Sequence, residues 1–155
     1  MRLGVITAIM LMVASGGAWL AFGQGKVSEV AKIDIADGRM LYSENCAACH
    51  GADLSGQPDW RTPGVDGRLP APPHDDSGHT WHHGDGILFR YTKLGGKALM
   101  AEKGVDFDSG MPGFGDRLSD QQIRNILAYI RSTWPERIRQ VQAGRSKSEM
   151  ENGEY

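Results

Sequence analysis

Apolar and polar residues are arranged in three distinct ways along the chain. Residues 3–23 form an apolar run without a charged side chain, and residues 24–33 are polar and weakly patterned. From Asp34 onward, apolar residues recur at helical spacing in three stretches, which loops rich in glycine and proline separate. No stretch forms a convincing β-strand. The pattern therefore predicts an all-α domain of three to four short helices.

Two predicted helices lie on either side of a long loop. The first begins with Asp34 as its N-cap, and the second begins with Asp85 in the same role and ends at Gly95. Their apolar stripes comprise Ile35, Gly38, Leu41 and Tyr42 in the first helix and Ile87, Leu88, Tyr91 and Leu94 in the second. Five of the seven prolines fall within residues 51–78, which predicts an extended loop there. A second loop is expected to run to Gly115.

The strongest helical periodicity follows that second loop. Ser119 and Gln122 have the spacing of a capping box at the start of this helix. Its apolar stripe comprises Ile123, Ile126, Leu127, Ile130 and Trp134. Pro135 is expected to end or kink the helix and to be the first residue of a short extension through Val141. Residues 144–155 are polar and predict a frayed tail.

The apolar run at the N-terminus has the pattern of an export signal, because it follows Arg2 and carries no charge. About 20 residues can span a bilayer, and Trp19 would suit the membrane interface. We expect residues 3–22 to remain as an anchor with the rest of the chain on the periplasmic side; the alternative is a removed signal peptide. The chain then divides into an anchor (1–23), a linker (24–33), a folded domain (34–134) and a helical extension with a flexible tail (135–155).

Length, composition and charge are those of a small globular protein without a basic surface. A chain of 155 residues with 40% hydrophobic residues suits one small domain with additional segments. The formal net charge is −2, so there is no basic excess that would attract nucleic acid.

Both cysteines of the chain lie in the segment NCAACHG, where His50 directly follows Cys46 and Cys49. In a Cys-x-x-Cys-His motif the two thiols can add to the two vinyl groups of a haem, while the imidazole binds the iron. One turn of helix separates the two sulfur atoms by about the distance between those vinyl groups. The motif therefore predicts one covalently bound haem c with His50 as an iron ligand.

Three other interpretations of the motif have less support. A thioredoxin-like redox pair would require a strand followed by a helix, and a disulfide would close a loop too small to stabilise the fold appreciably. A zinc site would need two more ligands from the histidines that follow, which are His74, His79, His82 and His83. Export also argues against an unpaired dithiol, because such a pair tends to oxidise outside the cytoplasm.

The sixth ligand of the iron is expected to be Met111, because a thioether suits a low-spin haem iron. Met111 lies between Gly110 and Pro112, which remove bulk and restrict the backbone. Met40 and Met100 remain possible in principle.

The segments CAACHG and MPGFGDRLSDQQIRNILAYI make residues 34–134 similar to the class I cytochromes c of bacterial mono-haem type. The resemblance implies that the first and last helices of the domain cross near a right angle beside the haem. Gly38 and Tyr42 match the glycine and the aromatic residue that the family has on its first helix. Leu127 and Tyr129 match the hydrophobic and aromatic positions on its last helix. It also implies that a proline carbonyl, which we assign to Pro72, accepts a hydrogen bond from the iron-binding histidine.

Residues 72–86 form a polar insert that departs from the common pattern of these proteins. One interpretation is a second metal site, such as copper, on His79, His82 and His83. The preferred interpretation is a loop in which the imidazoles and Trp81 bind the haem propionates or cap the following helix, because vicinal histidines on a helix diverge. Arg61 and Arg68 are further candidates for pairing with propionates.

An iron with both axial positions filled by protein has no open site for a substrate. We therefore expect a non-enzymatic one-electron carrier on the high-potential side of a periplasmic respiratory or redox chain, with redox proteins as partners. Two alternatives remain: a peroxidase or gas sensor, if Met111 binds weakly, and copper handling by the histidine-rich insert.

Overall fold

The computed structural model describes residues 32–153, and every regular element in that range is helical. Its elements are α1 (Ile35–Asn45), α2 (Ala47–His50), a 3-10 turn (Thr80–His82), α3 (Asp85–Leu94), α4 (Gly96–Glu102), α5 (Asp120–Ser132) and α6 (Glu136–Asn152). The predicted all-α class is therefore confirmed. The predicted anchor and most of the predicted linker lie outside the described residues.

Helices α1 and α5 form the main packing contact of the domain. Gly38 permits this contact, because a Cβ atom at that position would overlap the carbonyl oxygen of Asn125. Asn125 is itself buried and binds α1 through two hydrogen bonds, one from the backbone N–H of Asp34 (3.1 Å) and one to Oδ2 of Asp37 (2.8 Å). A glycine and an amide thus fix the position of one helix on the other.

The hydrophobic core lies between α1, α5 and the loops that connect the helices. Its buried members are Leu41, Tyr42, Leu54, Phe114, Leu118, Ile123, Ile126, Ile130, Trp134 and Ile138. Leu127 and Tyr129 pack against this core, and the ring of Tyr129 lies 5.5 Å from that of Tyr42. Ile35 was predicted to lie on the apolar stripe of α1, but it is exposed at the start of that helix.

The helix boundaries agree with the sequence pattern where the signals are local. The Asp34 side chain caps α1 through the N–H groups of Ala36 and Asp37, and α3 ends at Gly95. Ser119 and Gln122 form both hydrogen bonds of the capping box at the start of α5. These predictions are confirmed.

Other boundaries were predicted wrongly. Residues 96–102 form α4 rather than a loop, and Met100 is therefore helical. Helix α6 continues to Asn152, far beyond the predicted extension and through most of the predicted tail, and Pro135 is its N-cap rather than its first residue. Gly84, not Asp85, is the N-cap of α3, because the carboxylate of Glu149 in α6 satisfies the N–H groups there.

Candidate haem-binding site

Cys46 connects α1 to α2 and places the two thiols one helical turn apart. The backbone N–H of Cys46 donates to Tyr42 O (2.9 Å), while those of Cys49 and His50 donate to Cys46 O (3.2 and 2.9 Å). Both cysteines are free thiols, with Cys46 partly buried and Cys49 exposed. Burial, together with the neighbouring Cys49, raises the pKa of Cys46 to about 11. The two cysteines thus lie on one turn, as the Cys-x-x-Cys-His motif requires.

The side chain of His50 is held in a defined tautomer. His50 is 7% exposed, and its Nδ1 lies 2.8 Å from the carbonyl oxygen of Pro72. Because a carbonyl only accepts, Nδ1 carries the proton and Nε2 keeps its lone pair. Burial lowers the pKa of His50, and the hydrogen bond to Pro72 opposes that effect in part. The ring is therefore a neutral imidazole with a metal-binding nitrogen available.

Two glycines allow the chain around Pro72 to approach His50. A Cβ atom on Gly56 would lie 2.5 Å from Pro73 N and 2.6 Å from Pro72 C, and one on Gly78 would overlap Pro73 O. The N–H of Gly56 also donates to the carbonyl of His50 (2.8 Å). Of the prolines in this stretch, the structure brings Pro72 to His50, which is the contact that the sequence resemblance implied.

The loop that carries Met111 is fixed against the end of α3. The carbonyl oxygen of Met111 accepts a hydrogen bond from the N–H of Gly96 (3.1 Å). The N–H of Met111 donates to Ser109 Oγ (3.2 Å), and that oxygen lies 3.0 Å from Tyr91 Oη. Met111 is partly buried and packs on the same hydrophobic core as Cys46. Met111 is thus presented by a constrained loop at the core against which Cys46 also packs.

The candidate propionate-binding side chains have partners within the protein. Nε of Arg68 donates to Asp108 Oδ2 (2.8 Å), which lowers the pKa of that carboxyl group. The guanidinium of Arg61 lies 3.9 Å from the centre of the Trp60 ring. The indole N–H of Trp81 donates to the carbonyl of Asp76 (3.4 Å), while the indole itself packs on the core.

The histidines of the insert do not converge on one point. The ring of His79 stacks on Trp60 (5.3 Å) and meets the edge of His83 (5.5 Å), whereas His82 stacks on Trp81 (3.7 Å). Within residues 32–153, no three His, Cys, Asp or Glu side chains are grouped so that they could hold a metal ion. The described part of the chain therefore gives no support to a zinc site or to a copper site on three histidines.

Two contacts around His50 were not predicted from the sequence. The hydroxyl of Tyr42 donates to the carbonyl of Gly51 (3.0 Å) and so closes the turn that carries the motif. The ring of His74 lies 4.0 Å from that of His50. The apolar spacing of α1 did place Tyr42 in the core, but no local signal in the sequence indicates that His74 reaches His50.

These donors fit a covalently attached haem. Such a group needs two free thiols about one helical turn apart and a neutral imidazole directly after them. Cys46, Cys49 and His50 meet these requirements, and Met111 adds a thioether of the kind that binds haem iron. The same set lacks the further ligands that a structural zinc site requires.

Comparison with known proteins agrees with this fit. The family model for cytochrome c matches residues 35–134. The chain is 34% identical over 107 residues to the Cbb3-type cytochrome c oxidase subunit CcoP of Azospirillum sp. (strain B510), covering 68% of this chain and 30% of that protein. It is 30% identical over 106 residues to the gluconate 2-dehydrogenase cytochrome c subunit of Pantoea cypripedii, covering 65% and 21% respectively.

The chain thus spans less than a third of the length of these two relatives. No solved structure matches it significantly. The family match extends from the start of α1 to just beyond α5, and it includes the Cys-x-x-Cys-His motif and Met111. Membership of this family implies haem c. The chain belongs to the cytochrome c family.

Proposed function

We propose that this protein is a one-electron carrier with a single haem, bound covalently through Cys46 and Cys49 and ligated by His50 and Met111. The observation that best supports the proposal is the 2.8 Å contact between His50 Nδ1 and the carbonyl of Pro72, in the turn that carries two free thiols. A histidine held in this way presents Nε2 as a metal ligand, and the hydrogen bond makes that nitrogen a stronger donor.

When bound, the haem supplies an iron that changes between two oxidation states. The chain supplies two ligands of different character, an imidazole made more basic by Pro72 and a soft thioether at Met111. Ligation by methionine and burial in a protein both raise the reduction potential. If His50 and Met111 both bind the iron, no ligand position would remain for a substrate, and we propose electron transfer without catalysis.

The partners that we propose are other redox proteins. The two relatives are described as a subunit of an oxidase and a cytochrome subunit of a dehydrogenase, so similar segments occur in proteins named for redox complexes. The formal net charge of −2 gives no support to binding of nucleic acid. We infer that this chain passes electrons between a donor protein and an acceptor protein.

The location that we propose is the periplasmic side of the cytoplasmic membrane. No helix within residues 32–153 is long and apolar enough to cross a bilayer. The support therefore comes from the uncharged run of residues 3–22. Membrane fractionation tests it: an anchored protein stays with the membranes after a high-salt wash, whereas a mature N-terminus near Gln24 would mean that the segment is removed.

Substitution of Met111 tests the ligand set. Met111→Leu keeps most of the apolar volume, so the fold should persist, but it removes the sulfur. The methionine–iron charge-transfer band of the oxidised protein should disappear, the potential should fall, and carbon monoxide should bind to the reduced protein.

Two other methionines serve as matched controls for that substitution. Met40 is 55% exposed on α1, and Met100 is partly buried on α4. Met40→Leu and Met100→Leu should leave the spectrum unchanged. Loss of the band in Met100→Leu but not in Met111→Leu would show that the ligand is assigned to the wrong residue. Ready binding of carbon monoxide by the unsubstituted protein would favour the sensor or peroxidase alternative.

A further inference from the structure

A second imidazole lies against His50. The ring centres of His50 and His74 are 4.0 Å apart, and their planes are inclined by 31°. The ring of Tyr42 meets the edge of His74 from another side, at 6.0 Å and 76°. His74 thus lies between the ring proposed to bind the iron and an aromatic side chain of the core.

The position of His74 is fixed by its backbone. Its N–H donates to the carbonyl of Leu54 (2.8 Å), and its own carbonyl accepts from the indole N–H of Trp134 (2.7 Å). Leu54 and Trp134 both belong to the buried core. The contact with His50 is therefore made by a residue that the core holds in place, rather than by a side chain at the tip of a free loop.

The side chain of His74 is fixed as well. Its Nδ1 lies 3.0 Å from Oγ1 of Thr80, a buried residue whose hydroxyl also donates to the carbonyl of Pro73 (3.3 Å). A hydroxyl has one hydrogen to donate, so Thr80 accepts the bond from His74, and Nδ1 of His74 carries the proton.

The two imidazole rings are in contact, and each is held by its own hydrogen bond. Their planes are inclined by 31°, and each ring has Nδ1 bonded to a fixed oxygen atom: Pro72 O for His50 and Thr80 Oγ1 for His74.

We propose that His74 is a positioning residue that holds the plane of the His50 ring and favours the oxidised state of the site. The inference rests on the proposed ligation of iron by His50. The hydrogen bond to Pro72 restrains one atom of the His50 ring, whereas contact across a ring face restrains its plane. A ligand ring carries more positive charge on ferric than on ferrous iron, and the π-face of an aromatic ring attracts positive charge. His74 should therefore lower the reduction potential.

Substitutions of His74 in the haem-containing protein test this role. His74→Leu removes the ring, so the midpoint potential should shift upward, and the electron paramagnetic resonance g-values of the oxidised protein should change, since they depend on the plane of the ligand. His74→Phe keeps a flat ring without nitrogen atoms, so its g-values should stay closer to those of the unsubstituted protein. His82→Leu is the matched control, because His82 is exposed and stacks on Trp81, and it should change neither quantity.

A second pair of variants keeps the test open if His74→Leu does not fold or mature. Thr80→Val removes the acceptor of the His74 hydrogen bond at nearly constant volume, whereas Thr80→Ser keeps it. Thr80→Val should shift the potential and the g-values in the same direction as His74→Leu, by a smaller amount, and Thr80→Ser should match the unsubstituted protein. Equal values for Thr80→Val and Thr80→Ser, or for His74→Leu and His82→Leu, would overturn the proposal.

Failure of the proposed function is distinguishable from failure of this inference. If His50 does not bind the iron, the unsubstituted protein lacks the spectrum of a low-spin haem with an imidazole ligand before any variant is made. If His50 binds the iron but His74 has no influence, that spectrum is present and the variants of His74 leave the potential unchanged.

Discussion

Gly38 of α1 and Asn125 of α5 touch through their backbones, since a Cβ atom on Gly38 would overlap the carbonyl oxygen of Asn125. Gly38→Ala should therefore push the two helices apart and lower the free energy of unfolding by about 2 kcal/mol or more. Urea denaturation of the haem-containing protein measures this change.

Gly144 provides the control for that substitution. It lies within α6, and a Cβ atom there would meet nothing within 4 Å. Gly144→Ala should stabilise the protein by about 0.5–1 kcal/mol through the higher helix propensity of alanine. The packing account of Gly38 would be contradicted if both substitutions changed stability by the same amount in the same direction.

Glu149 should stabilise the start of α3. Glu149 is only 8% exposed. Its carboxylate accepts hydrogen bonds from the backbone N–H groups of Gly84 (2.7 Å), Gly86 (3.1 Å) and Ile87 (3.3 Å). Glu149→Ala would leave these donors without their acceptor and should cost about 1–3 kcal/mol. Glu149→Gln keeps one acceptor oxygen and should cost less. Glu151→Ala, on the exposed surface of the same helix, should be nearly neutral, and equal stability of the two alanine variants would contradict this role.

Stability should decrease on acidification below about pH 6.5, in part because of two histidines of the insert. Both side chains are exposed in part, and partial burial lowers the pKa values of His79 and His83; neighbouring cations act in the same direction, and Glu149 partly opposes the shift of His83. A histidine whose pKa is lower in the folded state binds more protons when the chain is unfolded. Its contribution to the free energy of unfolding is therefore constant at pH values above the unfolded pKa and decreases as the pH falls below that value.

The variant His79→Gln/His83→Gln tests the contribution of the two histidines. Urea denaturation at several pH values should show a shallower loss of stability between about pH 6.5 and pH 5 than in the unsubstituted protein. His82→Gln serves as the control, because His82 stacks on Trp81 and takes no part in the ring contacts of His79 with Trp60 and His83. An unchanged slope in the double variant would refute the assignment.

Both cysteines should be needed for stable attachment of the haem. Cys46 and Cys49 lie in one turn and are the two cysteines of the chain, so no other thiol can replace either of them. In Cys46→Ala and in Cys49→Ala, staining for haem on a denaturing gel should be lost or strongly reduced. A purified protein that contains zinc in equimolar amount and no haem would refute covalent haem binding.

The sequence predicted those parts of the fold that depend on local signals. The capping residue Asp34 and the capping box of Ser119 and Gln122 act within one turn of helix, and the apolar spacing identified the core faces of α1 and α5. The Cys-x-x-Cys-His motif is equally local, since its geometry follows from one helical turn. Pro72 could be assigned only through the resemblance to a family.

The features that were missed depend on contacts between distant segments. Helix α6 is mostly polar and is held by Ile138, Gln142 and Glu149, so its sequence has no clear apolar stripe. Helix α4 begins at the second glycine of a pair, where a loop was expected. The approach of His74 to His50 requires the chain to fold back on itself, and no spacing rule anticipates that approach.

Potentiometric titration of the haem-containing protein, followed in its visible spectrum, is the decisive measurement for electron transfer by this chain. We expect one reversible transition that fits a one-electron Nernst curve at positive potential, since His50 and Met111 are the proposed ligands. In the same sample, the reduced form should not bind carbon monoxide and peroxide should not be turned over. Rapid binding of carbon monoxide or turnover of peroxide by the unsubstituted protein would contradict the claim that this chain is an electron carrier.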